Sequence, residues 1–271
     1  MPELPEVETI ARTLREGPPV SLLGREILTA SLRWPRTLAE PGKGPFLRRV
    51  RGQSIQAIGR RAKFLVFDLS RDKLVIHLRM SGDIVIRRNG EKPAVHDRLI
   101  LGLSGDLTLA FNDPRKFGRA WLVADTTELF AKLGPEPLSA EFTPALFFQI
   151  LRARRRQLKP LLLDQQFLAG MGNIYTDEAL HRARLHPLLT SDELTRRETG
   201  RLWQAIRAVL DEGIARQGAS IDWVYRGGEF QNTFRVYSRT GEACQRCGHV
   251  IQRILVGQRS THFCPNCQPS R

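Results

Sequence analysis

The chain has 271 residues, 41% of them hydrophobic, which is enough for a real core and for one large domain or two ordinary ones. Its 42 Lys and Arg against 28 Asp and Glu give a net charge of +14, so a polyanionic partner is expected: nucleic acid first, an anionic membrane surface second, with genome composition as the neutral explanation of the arginines. There is no apolar run of the ~18 residues that a spanning helix needs, and the acidic start MPELPEVET lacks the basic and apolar parts of a signal peptide, so a cytosolic protein without membrane attachment is expected.

The first predicted element is a helix. Pro5 suits its first turn, Glu6 and Glu8 complement the positive end of its dipole, Val7, Ile10, Ala11 and Leu14 recur at helical spacing, and Gly17-Pro18-Pro19 ends it. Short candidate strands follow at Ile27–Leu32, Ser54–Ile58, Phe64–Leu69, Leu74–Leu78, Ile84–Arg87, Leu99–Leu103, Leu107–Phe111 and Ala120–Val123, broken by turns such as Ser70-Arg71-Asp72 and Ser104-Gly105-Asp106. Strands this short and this closely spaced imply an antiparallel sandwich or barrel.

Gly134-Pro135-Glu136-Pro137 reads as a linker, after which the pattern becomes helical. Thr143-Pro144 opens a helix to about Ala153, and further helices are expected at Lys159–Phe167, Ile174–Arg184 and Ser191–Arg216, with Gly218 ending the last. The polar, glycine-containing stretch from Gly218 to Thr233 has no period and reads as a mobile loop.

Cys244, Cys247, Cys264 and Cys267 form a C-x2-C, sixteen-residue, C-x2-C pattern, the spacing of a four-cysteine zinc ribbon. Two disulfides are the alternative, and they would need an oxidising compartment for which the sequence gives no other sign. So short a unit has no core of its own, so one zinc ion is expected to supply its folding energy.

Pro2 offers different chemistry. Methionine before a small residue is normally removed, which would leave a secondary amine; an α-amino group titrates near 7.7–8.0 and is partly neutral at physiological pH. Its attack on an aldehyde carbon gives a cationic iminium, a good electron sink, and Glu3 or Glu6 beside it is placed to protonate a leaving oxygen. Proline and acids are also ordinary helix-start residues, and while Met1 remains attached Pro2 has no free amine.

MPELPEVET, HLRMSG at 77–82, DPRKFG at 113–118, GPEPL at 134–138, GMGNIY at 170–175 and the closing cysteine pattern occur in one order. Together they resemble the formamidopyrimidine-DNA glycosylases, bacterial repair enzymes for oxidised purines. The resemblance runs from Pro2 to Cys267, and Leu4 matches the PELPE form of that family rather than the PEGPE of the related endonuclease VIII. It implies an α+β fold: an N-terminal helix on an antiparallel β-sandwich (1–133), an all-helical helix–two-turns–helix module (134–234) and a zinc-finger hairpin (235–269), with duplex DNA held between the halves of a monomer.

The resemblance also implies roles. Pro2 is the nucleophile and Glu3 the general acid; Lys63 assists the first elimination and Arg259, between the cysteine pairs, the second. Met80, Arg115 and Phe117 fill the gap left by a flipped nucleotide, two replacing lost stacking and Arg115 bonding the orphaned base, although Met80 and Phe117 also suit ordinary core packing. Glu6, His96, Arg154, Lys159 and Asn173 are implied DNA contacts, Asn173 in a glycine-rich turn whose free N–H groups suit a phosphate. Two positions depart from the family: Val95-His96-Asp97-Arg98 stands where Lys-His-Asp-His is common, and Arg154 where lysine is frequent. The loop at 218–233 is the expected determinant of lesion choice. Two other functions remain open, an endonuclease VIII-like enzyme for oxidised pyrimidines and a catalytically silent damage-binding protein.

Overall fold

The computed structural model describes residues 1–17, 20–220 and 227–270. The chain divides into two compact units, Met1–Ala131 and Lys132–Ala219 with Gly228–Arg271, so the helical module and the cysteine hairpin fall in one unit. Among the described residues no helix is long and apolar enough to cross a membrane.

The first unit begins with α1 (Leu4–Glu16). Strands β1 (Ile27–Leu32), β2 (Leu38–Glu40), β3 (Ile55–Arg61), β4 (Phe64–Leu69), β5 (Lys73–His77), β6 (Asp83–Arg88), β7 (Asp97–Leu103), β8 (Leu107–Asn112) and β9 (Arg119–Val123) follow, with helices α2 (Lys43–Arg49) and α3 (Thr127–Phe130) between or after them. They make two sheets, ordered β1-β7-β8-β6 and β2-β9-β5-β4-β3, antiparallel except where β2 runs parallel to β9. In β4 burial alternates residue by residue, which turns Leu65, Phe67 and Leu69 inward; the inner strand β7 is buried almost throughout, as its unbroken DRLILGL pattern requires.

Val7, Ile10, Ala11 and Leu14 of α1 join Leu65, Phe67, Ile76, Leu101 and Phe111 in one core. Each such side chain contributes on the order of 1.5–3 kcal/mol by leaving water. The eight expected strands all form, within three residues of their predicted ends. β2, α2 and α3 were not foreseen, being too short or too polar to carry a period.

In the second unit, α4 (Pro144–Arg152) starts where Thr143-Pro144 predicts, the Thr143 hydroxyl accepting from Leu146 N at 3.2 Å. α5 (Leu158–Leu163) is shorter than expected, because Asp164 turns extended and its carbonyl partners are taken up in a turn by Phe167 and Leu168. α6 (Asn173–Ala183) ends at a left-handed Arg184, φ 56°. The predicted 191–216 helix is corrected: Ser191–Glu193 is a separate 3-10 turn, and α7 (Arg196–Ala215) starts at Thr195, whose hydroxyl accepts from Glu198 N while Glu198 accepts from Thr195 N. The hairpin of β10 (Gln252–Val256) and β11 (Arg259–Phe263) closes the chain. The expected loop at 218–233 lies partly outside the described residues; its end, Phe230–Thr233, is an ordered 3-10 turn with Phe230 stacked on Tyr175.

Candidate functional site

Pro2, Glu3 and Glu6 are all buried at the start of α1, Glu3 and Glu6 at 3% and 2% exposure. The Glu6 carboxylate accepts from Glu3 N at 2.7 Å, so this acid caps the first turn. It is thus placed as a structural partner of Glu3. Lys63, 4% exposed, sits in the two-residue turn joining β3 to β4, after a left-handed Ala62 (φ 54°).

α1 lies on β3 and β4. Arg15 near its end donates to Ile58 O at 3.1 Å, while Glu8 near its start is 3.1 Å from the Arg60 guanidinium. The contacts advance along β3 as α1 is followed back, so the Lys63 turn lies toward Pro2 and Glu3. His77, missed by sequence reasoning, is the fourth buried titratable group here: it pairs across the sheet with Phe64, and its ring meets Phe64 edge-on at 4.6 Å. Burial first, then the charges of Arg79 and Lys63, push its pKa down to about 3, so it is neutral at physiological pH.

A second cluster in the same unit is organised by Asp113, fully buried. Its carboxylate accepts from the Ser81 hydroxyl at 2.5 Å and from Gly118 N at 2.7 Å, and the Ser81 oxygen accepts from Arg115 N at 3.2 Å. That ties the Met80-Ser81 turn to the 113–118 loop. Gly82 and Gly118 both abut the ring of Phe111, where a Cβ would overlap it, so neither position has room for a side chain. Phe117 is 52% exposed, with the Arg115 guanidinium 5.0 Å from its ring centre, so ordinary core packing is not its role. Met80 is half-buried and His96 exposed. Three residues adjoining these side chains, Ala62, Arg79 and Lys116, have positive φ without being glycine, a conformation that costs on the order of 1–2 kcal/mol each.

The second unit carries the rest. Asn173 begins α6 and donates its side-chain amide to Ser260 O at 3.0 Å, next to Arg259. Gly257 and Gln258, φ 55° and 62°, form the two-residue turn between β10 and β11 and leave Arg259 exposed at its edge. Arg154 is exposed within its basic run. Lys159 departs from expectation: it is fully buried, its ammonium donating to the Asp177 carboxylate and to Asn173 O (3.2 Å). A charge committed to a buried partner is not offered to a phosphate, so the surface role inferred for it is corrected. Asp177 also accepts from His262 N at 3.0 Å and His262 Nδ1 at 3.1 Å, which fastens β11 to α6. Its neighbour Glu178 accepts from the backbone N–H groups of Arg235, Val236 and Tyr237, and burial raises its pKa against those bonds. These two acids were missed; side by side in mid-helix they carry no sequence signal beyond their own polarity.

The four cysteine sulfurs lie within 4.8 Å of one another, with Cys247–Cys264 at 3.5 Å and Cys244–Cys267 at 4.0 Å. Tetrahedral zinc at about 2.3 Å from each sulfur needs them about 3.8 Å apart, which these positions meet. Burial and the neighbouring thiols push Cys267 up to about 12 and raise Cys264, while hydrogen bonds, first that of Asn266, lower Cys247 to about 6, so the cluster already favours one thiolate. A bound zinc ion would stabilise the thiolates and hold both C-x2-C turns.

The family models agree with this division of labour. The one described as formamidopyrimidine-DNA glycosylase N-terminal domain matches residues 1–120, the formamidopyrimidine-DNA glycosylase H2TH domain matches 133–224, and the zinc finger found in FPG and IleRS matches 241–269. With the sulfur geometry, the last identifies the metal as one structural zinc. The formamidopyrimidine-DNA glycosylase of Chloroflexus aurantiacus is 47% identical over 276 residues, 99% of this chain and 98% of the relative; that of Protochlamydia amoebophila is 42% identical over 277 residues, 99% of each. A solved structure of MutM in complex with carbocyclic 8-oxo-G containing DNA superposes at TM-score 0.91 with 38% identity, covering 99% of this chain and 100% of that one. Wild-type Lactococcus lactis Fpg in complex with N7-benzyl-Fapy-dG containing DNA superposes equally, at TM-score 0.91, 37% identity and the same coverage. With the sandwich, the helical module and the cysteine hairpin all matched in order, the chain belongs to the formamidopyrimidine-DNA glycosylase family.

Proposed function

We propose that this protein excises oxidised purines, such as 8-oxoguanine and formamidopyrimidines, from duplex DNA and then cleaves the strand at the abasic site, acting as a monomer in the bacterial cytoplasm. The observation that carries the enzymatic proposal is the burial of Glu3 and Lys63, each under 5% exposed, at the start of α1 and in the turn that α1 packs toward. Ionisable groups brought out of water near one another are characteristic of sites that move protons.

In this mechanism the Pro2 amine, freed by removal of Met1, attacks C1′ of the extruded nucleotide and the C1′–N bond breaks, the base departing with a proton. Glu3 protonates the sugar ring oxygen, the ring opens, and the Pro2 nitrogen becomes an iminium. That cation acidifies the 2′ hydrogen. Loss of this proton expels the 3′ phosphate with help from Lys63, and a second elimination expels the 5′ phosphate with help from Arg259. Extrusion is aided by Met80 and Phe117 filling the vacated stack while Arg115 bonds the orphaned base. The exposure of Phe117 on a tied-down loop supports that assignment. His96, Arg154 and Asn173 are the proposed phosphate contacts.

Borohydride trapping tests the chemistry. Protein lacking Met1, verified by mass, is mixed with duplex carrying 8-oxoguanine opposite cytosine and reduced. A covalent complex that disappears in Pro2→Gly is expected. Absence of any adduct, with this duplex or an abasic one, refutes the enzyme proposal, and an adduct confined to oxidised pyrimidines transfers the protein to the endonuclease VIII-like activity.

A further inference from the structure

The position at which this chain departs from the family pattern, Arg98, stands at the junction of every loop in the second cluster. Its side chain is buried, at 8% exposure, yet among the described residues no carboxylate receives it. Nε donates to Asp113 O at 2.8 Å, one terminal nitrogen to Val95 O at 3.3 Å, and the other to Pro114 O at 3.5 Å and toward His96 Nδ1 at 3.2 Å. Its own carbonyl accepts from Arg33 N at 2.8 Å and Trp34 N at 3.3 Å. Asp113, held from one side by this fork, holds Ser81 and Gly118 from the other.

Two consequences follow from the donor chemistry. A guanidinium is always protonated and has only donors, so the His96 nitrogen it faces has to be a lone pair. That geometry calls for the tautomer with its hydrogen on Nε2, which leaves the ring a single donor to offer elsewhere. Second, one planar group fixes the spacing between the 95–96 turn and the 113–114 turn, and through Asp113 the Met80-Ser81 turn. A lysine has no fork with which to span these four acceptors.

We propose that Arg98 is a positioning residue of this enzyme: it fixes the His96 tautomer and sets the relative placement of Met80, Arg115 and Phe117 for insertion into DNA. The second half rests on the gap-filling role proposed above for those three side chains. The first half concerns the free protein alone.

The free wild-type protein is therefore examined by two-bond 1H–15N spectroscopy of its imidazoles at pH 8. His96 is expected as the Nε2–H form, and the Nδ1–H form overturns the assignment. Arg98→Lys and Arg98→Gln are then compared with Arg115→Ala and Phe117→Ala, with thermal melting confirming the fold. Misplacing a reacting or inserting group by an ångström costs up to about 100-fold, so single-turnover excision of 8-oxoguanine should fall ~10- to 100-fold in both Arg98 variants, with no rescue by lysine. Nicking of a preformed abasic site, whose extrusion is easier, should fall less. If Arg115→Ala and Phe117→Ala lose excision while Arg98→Gln and Arg98→Lys keep it, the positioning role is refuted and the gap-filling role stands. If none of the four loses excision, the gap-filling role fails, and the His96 tautomer in wild type and in Arg98→Gln alone decides the remaining claim: a tautomer unchanged by removal of the fork refutes it.

Discussion

Arg115 in the sandwich and Arg259 in the hairpin are both exposed cations at the edge of a turn, and they are held there by opposite means. Beneath Arg115 lies a single continuous core of α1 and both sheets, to which the Asp113 hydrogen bonds add direction. Around the cysteines that carry the Arg259 hairpin the buried apolar cluster is small: Val236, Cys244, Ile251 and Cys264, with Cys267 at its margin. What replaces it is a four-sulfur metal site and two buried carboxylates, Asp177 and Glu178, that seize backbone on either side of the finger. The sandwich thus derives its rigidity from burial, which is diffuse and tolerant of single losses. The hairpin depends on a few polar contacts that fail one at a time.

The largest expected effect is metal removal. Zinc binding to structural fingers is worth about 10–16 kcal/mol, against about 3–6 kcal/mol from burying Val236 and Ile251, the members of that cluster that are not cysteines. Exhaustive chelation should abolish the hairpin's dispersed amide signals and DNA binding together, while the sandwich retains its far-ultraviolet circular dichroism. A hairpin that survives chelation breaks the contrast.

Next comes Asp177→Ala. Removing one partner of a buried ion pair leaves Lys159 unneutralised and costs about 3–5 kcal/mol. The loss should be read in urea denaturation and in faster hydrogen exchange at His262 N, with sandwich amides unchanged.

On the other side of the comparison, His77 makes the sandwich acid-sensitive. Its folded pKa, about 3, lies below the ordinary 6.5, so between those values the unfolded chain binds the extra proton and stability falls as pH falls. The slope approaches ~1.4 kcal/mol per pH unit. His181 and His186 shift in the same direction, so the measurement is the difference between wild type and His77→Gln, whose stability should decline less from pH 6.5 to 4. Parallel curves would remove His77 from the account. The smallest effect is Thr195→Ala, about 1 kcal/mol from the lost cap of α7, seen as a modest fall in the denaturation midpoint.

Much of this was legible in the residues. Short strand-like runs set off by turn residues marked the eight strands, Thr143-Pro144 a helix start, and cysteine spacing the metal site, because each is a local rule. What escaped depends on distant partners. Lys159 reads as one more surface cation beside Arg152–Arg156 until Asp177, eighteen positions away, is seen to receive it. Asp113 belongs to a recognisable motif, yet its task of tying Ser81 to Gly118 is set by the pairing of β6 with β8. Ser191 looks like the beginning of a long amphipathic helix because its pattern continues that of α7; the competing cap at Thr195 wins through its reciprocal bonds with Glu198.

The ring of Phe111, with Gly82 on one side and Gly118 on the other, has a consequence for descent. A smaller residue at 111 would open a void under both turns at once, and a side chain at either glycine would have no space while the ring remains. Positions 82, 111 and 118 should therefore be inherited as a set among relatives, changing together or not at all. A homologue that altered only one of them would be the natural place to look for a protein that still folds but has lost the proposed filling of the vacated stack.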